Sequence, residues 1–402
     1  MPRPGTDIGG VSTISRILIS GGGIAGLTLA IELERRGFDP LVIEHEPSLR
    51  TEGYMMDFFG TGWDVAERMG LTGALRAVRY PIDFLDFVDA NGQAYVHMPI
   101  DRLRRTLGNR YVYLRRQDLE RILADRARER GVPVRYGTSI AALDERGDGV
   151  SVRFADGSED NFALVIGADG VHSRVRHLVF GPEAQFARFL GLYVGAFHVD
   201  SSGFPVDHAA RIYEEADRSA FFYSLSDVQM DATYIFRHAG MDMRAIDRLA
   251  TLRQAYRGAG WIAERALNAY DGGDPIYFDS VTQIVMPQWH RGRIALIGDA
   301  CGCLTLLAGQ GSHMAMAGGY VLAEELARQP DHAAAFAAYQ AFLKPHVARK
   351  QKDAARWARL FVRSPRSRPW LRRLVLKALF SRTLINLGMA AFGTKGVLRG
   401  RA

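Results

Sequence analysis

The sequence predicts an α/β fold: a Rossmann-like nucleotide domain, an inserted antiparallel sheet and a C-terminal helical segment. Three observations carry that expectation. Residues 16–45 form a complete βαβ pattern. Two later apolar runs end on Asp-Gly and Gly-Asp. Between those runs the chain changes to alternating segments rich in Phe and Tyr. A chain of 402 residues can bury a core of this size.

The βαβ pattern comes first. The apolar run 17–20 opens into Gly21-x-Gly23-x-x-Gly26, a helix-like run 27–36 follows, and residues 41–43 read as a second buried strand ending on Glu44. Gly21 permits the tight turn, Gly23 lets backbone approach a pyrophosphate, and Gly26 lets helix and strand pack closely. The helix start offers N–H groups to phosphates. Glu44 is placed to accept ribose hydroxyls.

Residues 53–60 alternate poorly and read as a loop or edge strand, and 61–80 as helical. Residues 84–88 and 95–98 flank Asn91-Gly92, a hairpin signal. A strand at 111–114 leads through Arg116 into a helix that Gly131 ends. Short strands follow, then the apolar run 163–166 enters Gly167-Ala168-Asp169-Gly170-x-x-Ser173-x-x-Arg176. A buried strand ending this way puts polar groups at the carboxyl edge of the sheet, where open α/β sheets bind ligands.

Residues 190–199, 211–214, 219–225 and 232–237 read as antiparallel strands, with a helical stretch at about 243–270. The third element is the run 293–297 ending on Gly298-Asp299-Ala300. Gly309-Gln310-Gly311 then precedes a helix expected at 315–328. The expected division is 14–80, 108–182 and 281–345 for the nucleotide domain, 81–107 and 183–280 for the substrate domain, and 346–402 for the C-terminal helices.

The net charge of +7 is a tail property. Residues 365–402 hold nine Lys/Arg and no acid, leaving 42 basic and 44 acidic residues, a net of −2, in the rest. The body is therefore not expected to bind nucleic acid. Leu371, Leu374, Val375, Leu379 and Phe380 recur at helical spacing among Arg372, Arg373 and Lys377. That pattern suits a helix docked over the substrate domain and also admits weak membrane-surface contact. Cys301 and Cys303 give no disulfide or zinc spacing and are expected as small buried residues. No signal core or spanning stretch is evident, so a cytoplasmic monomer or dimer without a metal is expected.

The three motifs, in this order, resemble the class A flavoprotein monooxygenases, the 4-hydroxybenzoate hydroxylase-like family, over most of residues 14–345. Within that family, Tyr54-x-x-Asp57-x-x-Gly60-Thr61 after Gly53, Met69-Gly70-Leu71 and Ala308-Gly309-Gln310-Gly311 look similar to tetracycline-inactivating and related polyketide-modifying enzymes. The resemblance implies non-covalent FAD held by Gly21, Gly23, Ile24, Ala25, Gly26 and Glu44. It also implies Arg116 at the flavin linker, Asp169 serving FAD and a transient nicotinamide cofactor, Asp299 on the ribityl chain, and Gly309 and Gly311 by the ring. The family's proline before the last Gly-x-Gly is missing here, and His45 stands where an arginine often follows the ribose acid.

The implied reaction is NAD(P)H-driven. Dioxygen adds at flavin C4a, and the resulting hydroperoxide passes one oxygen to an electron-rich aromatic or polycyclic small molecule. Such chemistry needs no triad, because the cofactor carries it. Candidate substrate contacts are Asp57, Phe58, Arg211, Tyr213 and Phe222. A halogenase of the same superfamily would want a Trp-x-Trp pair, which tryptophans 63, 261, 289, 357 and 370 do not make. The sequence also admits a flavin-dependent reductase, or a non-catalytic flavoprotein that sequesters a hydrophobic ligand.

Overall fold

The computed structural model describes residues 16–49, 54–204, 207–226, 228–273, 275–305, 307, 309–363, 368–380 and 396–398. β1 (Arg16–Ser20), α1 (Ile24–Glu34) and β2 (Asp39–Ile43) open the chain. β3 (Met55–Phe59), α2 (Gly60–Arg68) and α3 (Thr72–Ala77) precede the hairpin β4 (Phe84–Val88) and β5 (Ala94–Pro99). Next come α4 (Ile100–Thr106), β6 (Tyr111–Arg115) and α5 (Arg116–Glu129). β7 (Val134–Arg135) and the meander β8 (Ile140–Arg146), β9 (Gly149–Phe154) and β10 (Glu159–Phe162) lead to β11 (Leu164–Gly167) and α6 (Arg174–Phe180).

The aromatic middle holds β12 (Ala187–Asp200), β13 (Ala209–Glu215), β14 (Arg218–Ser224) and β15 (Gln229–Arg237). After it come α7 (Arg248–Ala255), α8 (Ala263–Ala269) and β16 (Tyr277–Ile284). β17 (His290–Arg291), β18 (Ile294–Leu296), α9 (Asp299–Gly302), α10 (Gly311–Arg328), α11 (His332–Phe361) and α12 (Pro369–Leu379) complete the order.

A six-stranded sheet in the order β17-β18-β11-β1-β2-β7 carries the three motifs. β18, β11, β1 and β2 run parallel, and Leu296, Gly167, Ser20 and Ile43 fall on one register row at their carboxyl ends. These strands are buried on both faces, which is why they read as continuous apolar runs. α1 is buried from Ile24 to Leu33. Its neighbour α10 can approach because Gly319 has no side chain: a Cβ there would lie 2.7 Å from the Leu29 amide nitrogen.

The second sheet has seven strands in the order β16-β12-β15-β14-β13-β4-β5. Its pairings give two neighbouring rows on one face. Tyr277, Ala196, Thr233, Phe221, Ile212, Phe87 and Val96 form the first; His198, Asp231, Tyr223, Ala210, Leu85 and Met98 form the second. This front face looks toward the nucleotide half. The back face carries Tyr193, Phe197, Tyr213, Phe222, Tyr234 and Phe236, packed under α7 and α8.

A two-stranded antiparallel ribbon, β3 with β6, separates the halves. Met56, Phe58, Val112 and Leu114 enter the nucleotide core. Alternate residues, Met55, Asp57, Phe59, Tyr111, Tyr113 and Arg115, point the other way, and several pack with Ala210 and Tyr223 of the sheet. The 30-residue α11 spans roughly 45 Å. It is seated in the nucleotide core at Phe336 and Tyr339 and on the sheet's front face at Ala358 and Val362.

Several local expectations are corrected. The helical stretch 61–80 is two helices, parted at Gly70 with φ +71°. The stretch 243–270 also breaks in two, where Gly258 and Trp261 take φ of +68° and +53°. Residues 55–59 are a full strand, and α10 starts at Gly311, four residues earlier than expected. The boundary placed after residue 280 falls inside β16, which continues in the sheet to Ile284.

Candidate active site

The shared row of strand ends brings the three motifs together. Gly21 takes φ +116°, and a Cβ on it would lie 2.4 Å from the Ala168 carbonyl oxygen. Gly26 is tighter still: a Cβ would lie 1.9 Å from the Gly21 carbonyl oxygen. Gly298, at φ +61°, faces the Ala25 methyl at 2.9 Å in the same sense. Loop, helix α1 and the Gly298-Asp299 turn therefore stack at distances only glycine allows. α1 begins at Gly23 without a side-chain cap, so Ile24 and Ala25 start a helix whose first N–H groups suit phosphate.

Glu44 ends β2 beside this loop. Its Oε2 accepts the Gly22 N–H at 2.8 Å and its Oε1 accepts the Glu46 N–H at 3.0 Å. The acid thus braces the glycine loop. Arg116 is the first residue of α5 and pairs with Glu120 at 2.7 Å. Glu120 in turn reaches to 3.6 Å from where a Gly23 Cβ would sit.

Around Arg116 lie Tyr54, Tyr277 and Asp299, which all act on its charge. The two tyrosine rings stand 5.7 Å apart. Burial pushes the Asp299 carboxyl up, and the Arg116 guanidinium pulls it back down. Burial also pushes the Cys303 and Cys301 thiols well up, so both stay protonated and unreactive.

Asp169 is turned into its own loop. Oδ1 accepts the Ser173 hydroxyl at 2.5 Å and Oδ2 accepts the Val175 N–H at 3.0 Å. The fully buried Arg176 then ties this loop to the third motif: it donates to the Ala300 carbonyl at 3.0 Å, and to Val171 and Glu183. The Asp-Gly motif is therefore a brace between strand ends, with its carboxylate already occupied by two donors.

Gly309, at φ +59°, and Gly311 flank Gln310, which precedes α10 without capping it. The half-buried Lys350 of α11 donates to the Gln310 side chain. Where the family's proline is missing, Thr305 takes φ +126°, a strained conformation for a residue with a side chain. Leu306, Ala308 and Gly53 lie outside the described residues.

The substrate candidates divide. Asp57 faces the sheet, where the Tyr111 hydroxyl donates to it and burial pushes its carboxyl up. His313 accompanies it, Nε2 bonding the Asp57 carbonyl oxygen at 3.1 Å. Phe58, one residue on, points the opposite way and is fully buried in the nucleotide core. Tyr213 and Phe222 lie on the back face, under α7 and α8, and Arg211 is held by Asp207 beside them. Strand alternation turns these four residues away from the layer where ribbon and sheet meet.

Tyr54, Tyr111, Tyr113, Tyr223, Asp231, Tyr277 and Glu120 were missed. The alternation Tyr111-Val112-Tyr113-Leu114-Arg115 was a readable signal. For Tyr277 and Asp231 no local signal exists, because their position depends on strand pairing.

Among the described residues no group of three or more His, Cys, Asp or Glu could hold a metal, and no helix is long and apolar enough to cross a membrane. α12 docks on the sheet. Arg372 pairs with Glu214, with Nε donating at 2.8 Å, and the Arg373 guanidinium lies 4.9 Å from the Tyr95 ring centre. Residues 388–392, the less charged stretch, lie outside the described residues.

A parallel sheet whose strand ends gather glycine loops and acids in this way defines a dinucleotide-binding protein. The chain belongs to the FAD binding domain family (FAD_binding_3), whose model matches residues 15–341. It is 33% identical over 340 residues to a flavin-dependent monooxygenase of an unknown prokaryotic organism, covering 84% of this chain and 87% of that one. A flavin-dependent monooxygenase of Legionella longbeachae is 32% identical over 349 residues, covering 84% and 87%. Among solved structures, tetracycline destructase Tet(55) superposes with a TM-score of 0.82 at 29% identity, covering 96% of this chain and 99% of that one. Klebsiella pneumoniae HpxO with FAD and uric acid shares the fold at 23% identity and a TM-score of 0.79, covering 96% and 97%. The chain is thus a flavin-dependent monooxygenase, an oxidoreductase that binds FAD.

Proposed function

We propose that this enzyme uses FAD, NAD(P)H and dioxygen to hydroxylate an aromatic or polycyclic small molecule of the tetracycline or polyketide kind. The observation that carries this reading is the layer where the β3–β6 ribbon meets the front of the sheet. It gathers Tyr111, Tyr113 and Tyr223 about the carboxyls of Asp57 and Asp231, with Tyr277 beside Arg116. Likeness to the tetracycline destructases favours a fused-ring substrate.

FAD, when bound, supplies the electron transfer and oxygen activation. The chain's own residues do the rest. The α1 start and Gly21 to Gly26 hold the pyrophosphate, and Glu44 the ribose. Asp299, kept beside Arg116, is set to bond the polyol linker, and the Arg116–Glu120 pair fixes the loop approach. The positive end of α10 at Gly311 favours negative charge nearby, by up to about 2 kcal/mol when partly buried. Aromatic walls exclude water. The inert thiols of Cys301 and Cys303 agree with non-covalent binding.

Oxygen consumption with NADPH or NADH, with and without phenols and fused-ring polyketides, tests the proposal. Ligand-stimulated uptake yielding a product heavier by one oxygen atom is expected. Ligand turnover without uptake would replace it with a reductase. No uptake and no turnover would leave a sequestering protein.

A further inference from the structure

The front face of the seven-stranded sheet holds one acid that the proposed reaction does not yet use. Asp231 lies on β15, in the row with His198 and Tyr223, one step from the row of Thr233 and Tyr277. It is fully buried. Its Oδ1 accepts the Thr233 hydroxyl at 3.1 Å, while its Oδ2 has no hydrogen-bond partner, the His198 Nε2 standing off at 3.8 Å. A buried carboxylate oxygen without a donor is costly, and such groups are normally satisfied.

The surroundings say what could satisfy it. Tyr223 feels the charge of both Asp231 and Asp57, so the two acids flank it from opposing layers. The Tyr223 ring stands 6.3 Å from that of Tyr113 on the ribbon. Two acids thus border a tyrosine cluster where ribbon and sheet meet. Of the basic side chains, His198 and Arg115 act on Asp231, and Arg115 is already paired with Asp118 at 3.1 Å. A flat ligand reaching this layer would meet tilted tyrosine rings, with the Asp231 carboxylate at its edge.

We propose that Asp231 contacts substrate: its carboxylate accepts a hydrogen bond from a hydroxyl or protonated amine on the edge of a fused-ring ligand held between ribbon and sheet. This rests on that layer being the substrate site of the proposed function. Burial pushes the Asp231 carboxyl up to about 6, so at pH 8 it is ionised and acts only as an acceptor.

The test uses the FAD-loaded enzyme at pH 8 and a matched series: 2,7-dihydroxynaphthalene, 2-naphthol, 1-(dimethylaminomethyl)-2-naphthol and 2-methoxynaphthalene. Binding is read from the flavin absorbance change, alongside FAD content and melting temperature. The wild type should bind at least one donor-bearing member about tenfold or more tightly than the methyl ether. Which member gains most separates hydroxyl from ammonium recognition. Asp231→Asn should remove that discrimination while leaving methyl-ether affinity and FAD content unchanged. Undiminished discrimination in the variant overturns the assignment, as does an equal loss for all four ligands. If Asp231→Asn loses FAD, Asp231→Ser is the second variant, and loss of FAD in both makes Asp231 a structural group. A wild type that binds none of the series, and shows neither oxygen uptake nor turnover with any phenol or polyketide, overturns the reading of that layer as the substrate site.

Discussion

The back face of the seven-stranded sheet carries Tyr193, Phe197, Tyr213, Tyr234 and Phe236 under α7 and α8, with hydroxyls spoken for: Tyr234 donates to the Ala263 carbonyl, and Tyr256 of the covering layer to Ser219 and Ile235. The front face carries Tyr223, Tyr277, Thr233 and Asp231 opposite a ribbon that offers Tyr111, Tyr113 and Asp57. Residue types are much the same; what differs is what covers them. One face is sealed by helices of its own domain and acts as a core. The other meets a separate layer, across which acids remain buried. The lesson is that aromatic content alone does not distinguish the two faces; the buried acid with an unpaired oxygen, Asp231, does.

The contrast can be broken or sharpened by experiment. The largest effect is expected outside both faces, at the anchor they share. Gly26→Val places a side chain against the Gly21 carbonyl, and the purified protein should carry no flavin colour; retention of FAD would mean that α1 can retreat from its strand. Next, Phe197→Ala on the back face removes a ring stacked 5.5 Å from Tyr234. It should cost about 3–5 kcal/mol in denaturant unfolding, with FAD content per folded molecule unchanged. A matching loss of ligand affinity would erase the distinction between the faces.

Arg372→Ala breaks a mostly buried ion pair and should release α12 from the edge of the front face, a local cost of about 3–5 kcal/mol. Substrate KM should rise several-fold while FAD affinity stays constant; the reverse would make α12 a support for the nucleotide half.

The smallest effect concerns His172, which joins the Asp-Gly loop to β16 through Glu183 and Asp279. Those acids raise its pKa to about 10. A raised folded-state value stabilises fully below the unfolded value near 6.5 and loses that contribution as pH climbs toward 10. The ring is 66% exposed, so solvent screening holds the effect below about 1 kcal/mol. His172→Gln should lower the melting temperature slightly at pH 6 and not at pH 10; an equal drop at both would remove the charge explanation.

The nucleotide half was legible because its chemistry is local. A turn that brings backbone within 2.4 Å of where a Cβ would stand demands glycine at a fixed spacing, and such spacing is written in the sequence. The layer between ribbon and sheet was not, because facing is a property of pairing. Phe58 and Asp57 are neighbours that point into different layers, and β3 hid its alternation because both its sides are covered. Tyr213 and Phe222 face α7 and α8 rather than the ribbon, and a one-residue change in register would have reversed them. β16 escaped notice, and the helices at 243–270 were merged, because the positive φ of Trp261 cannot be read from an aromatic side chain.

Pro345 sits inside α11, the rod whose first half is rooted among Phe336 and Tyr339 and whose far end presses Ala358 and Val362 on the sheet. Proline leaves one rung out of the helical ladder, so a bend there is cheap compared with unseating either end. A bend at that position would alter the spacing between the two layers, and Lys350, five residues beyond it, would carry the change to the Gln310 turn.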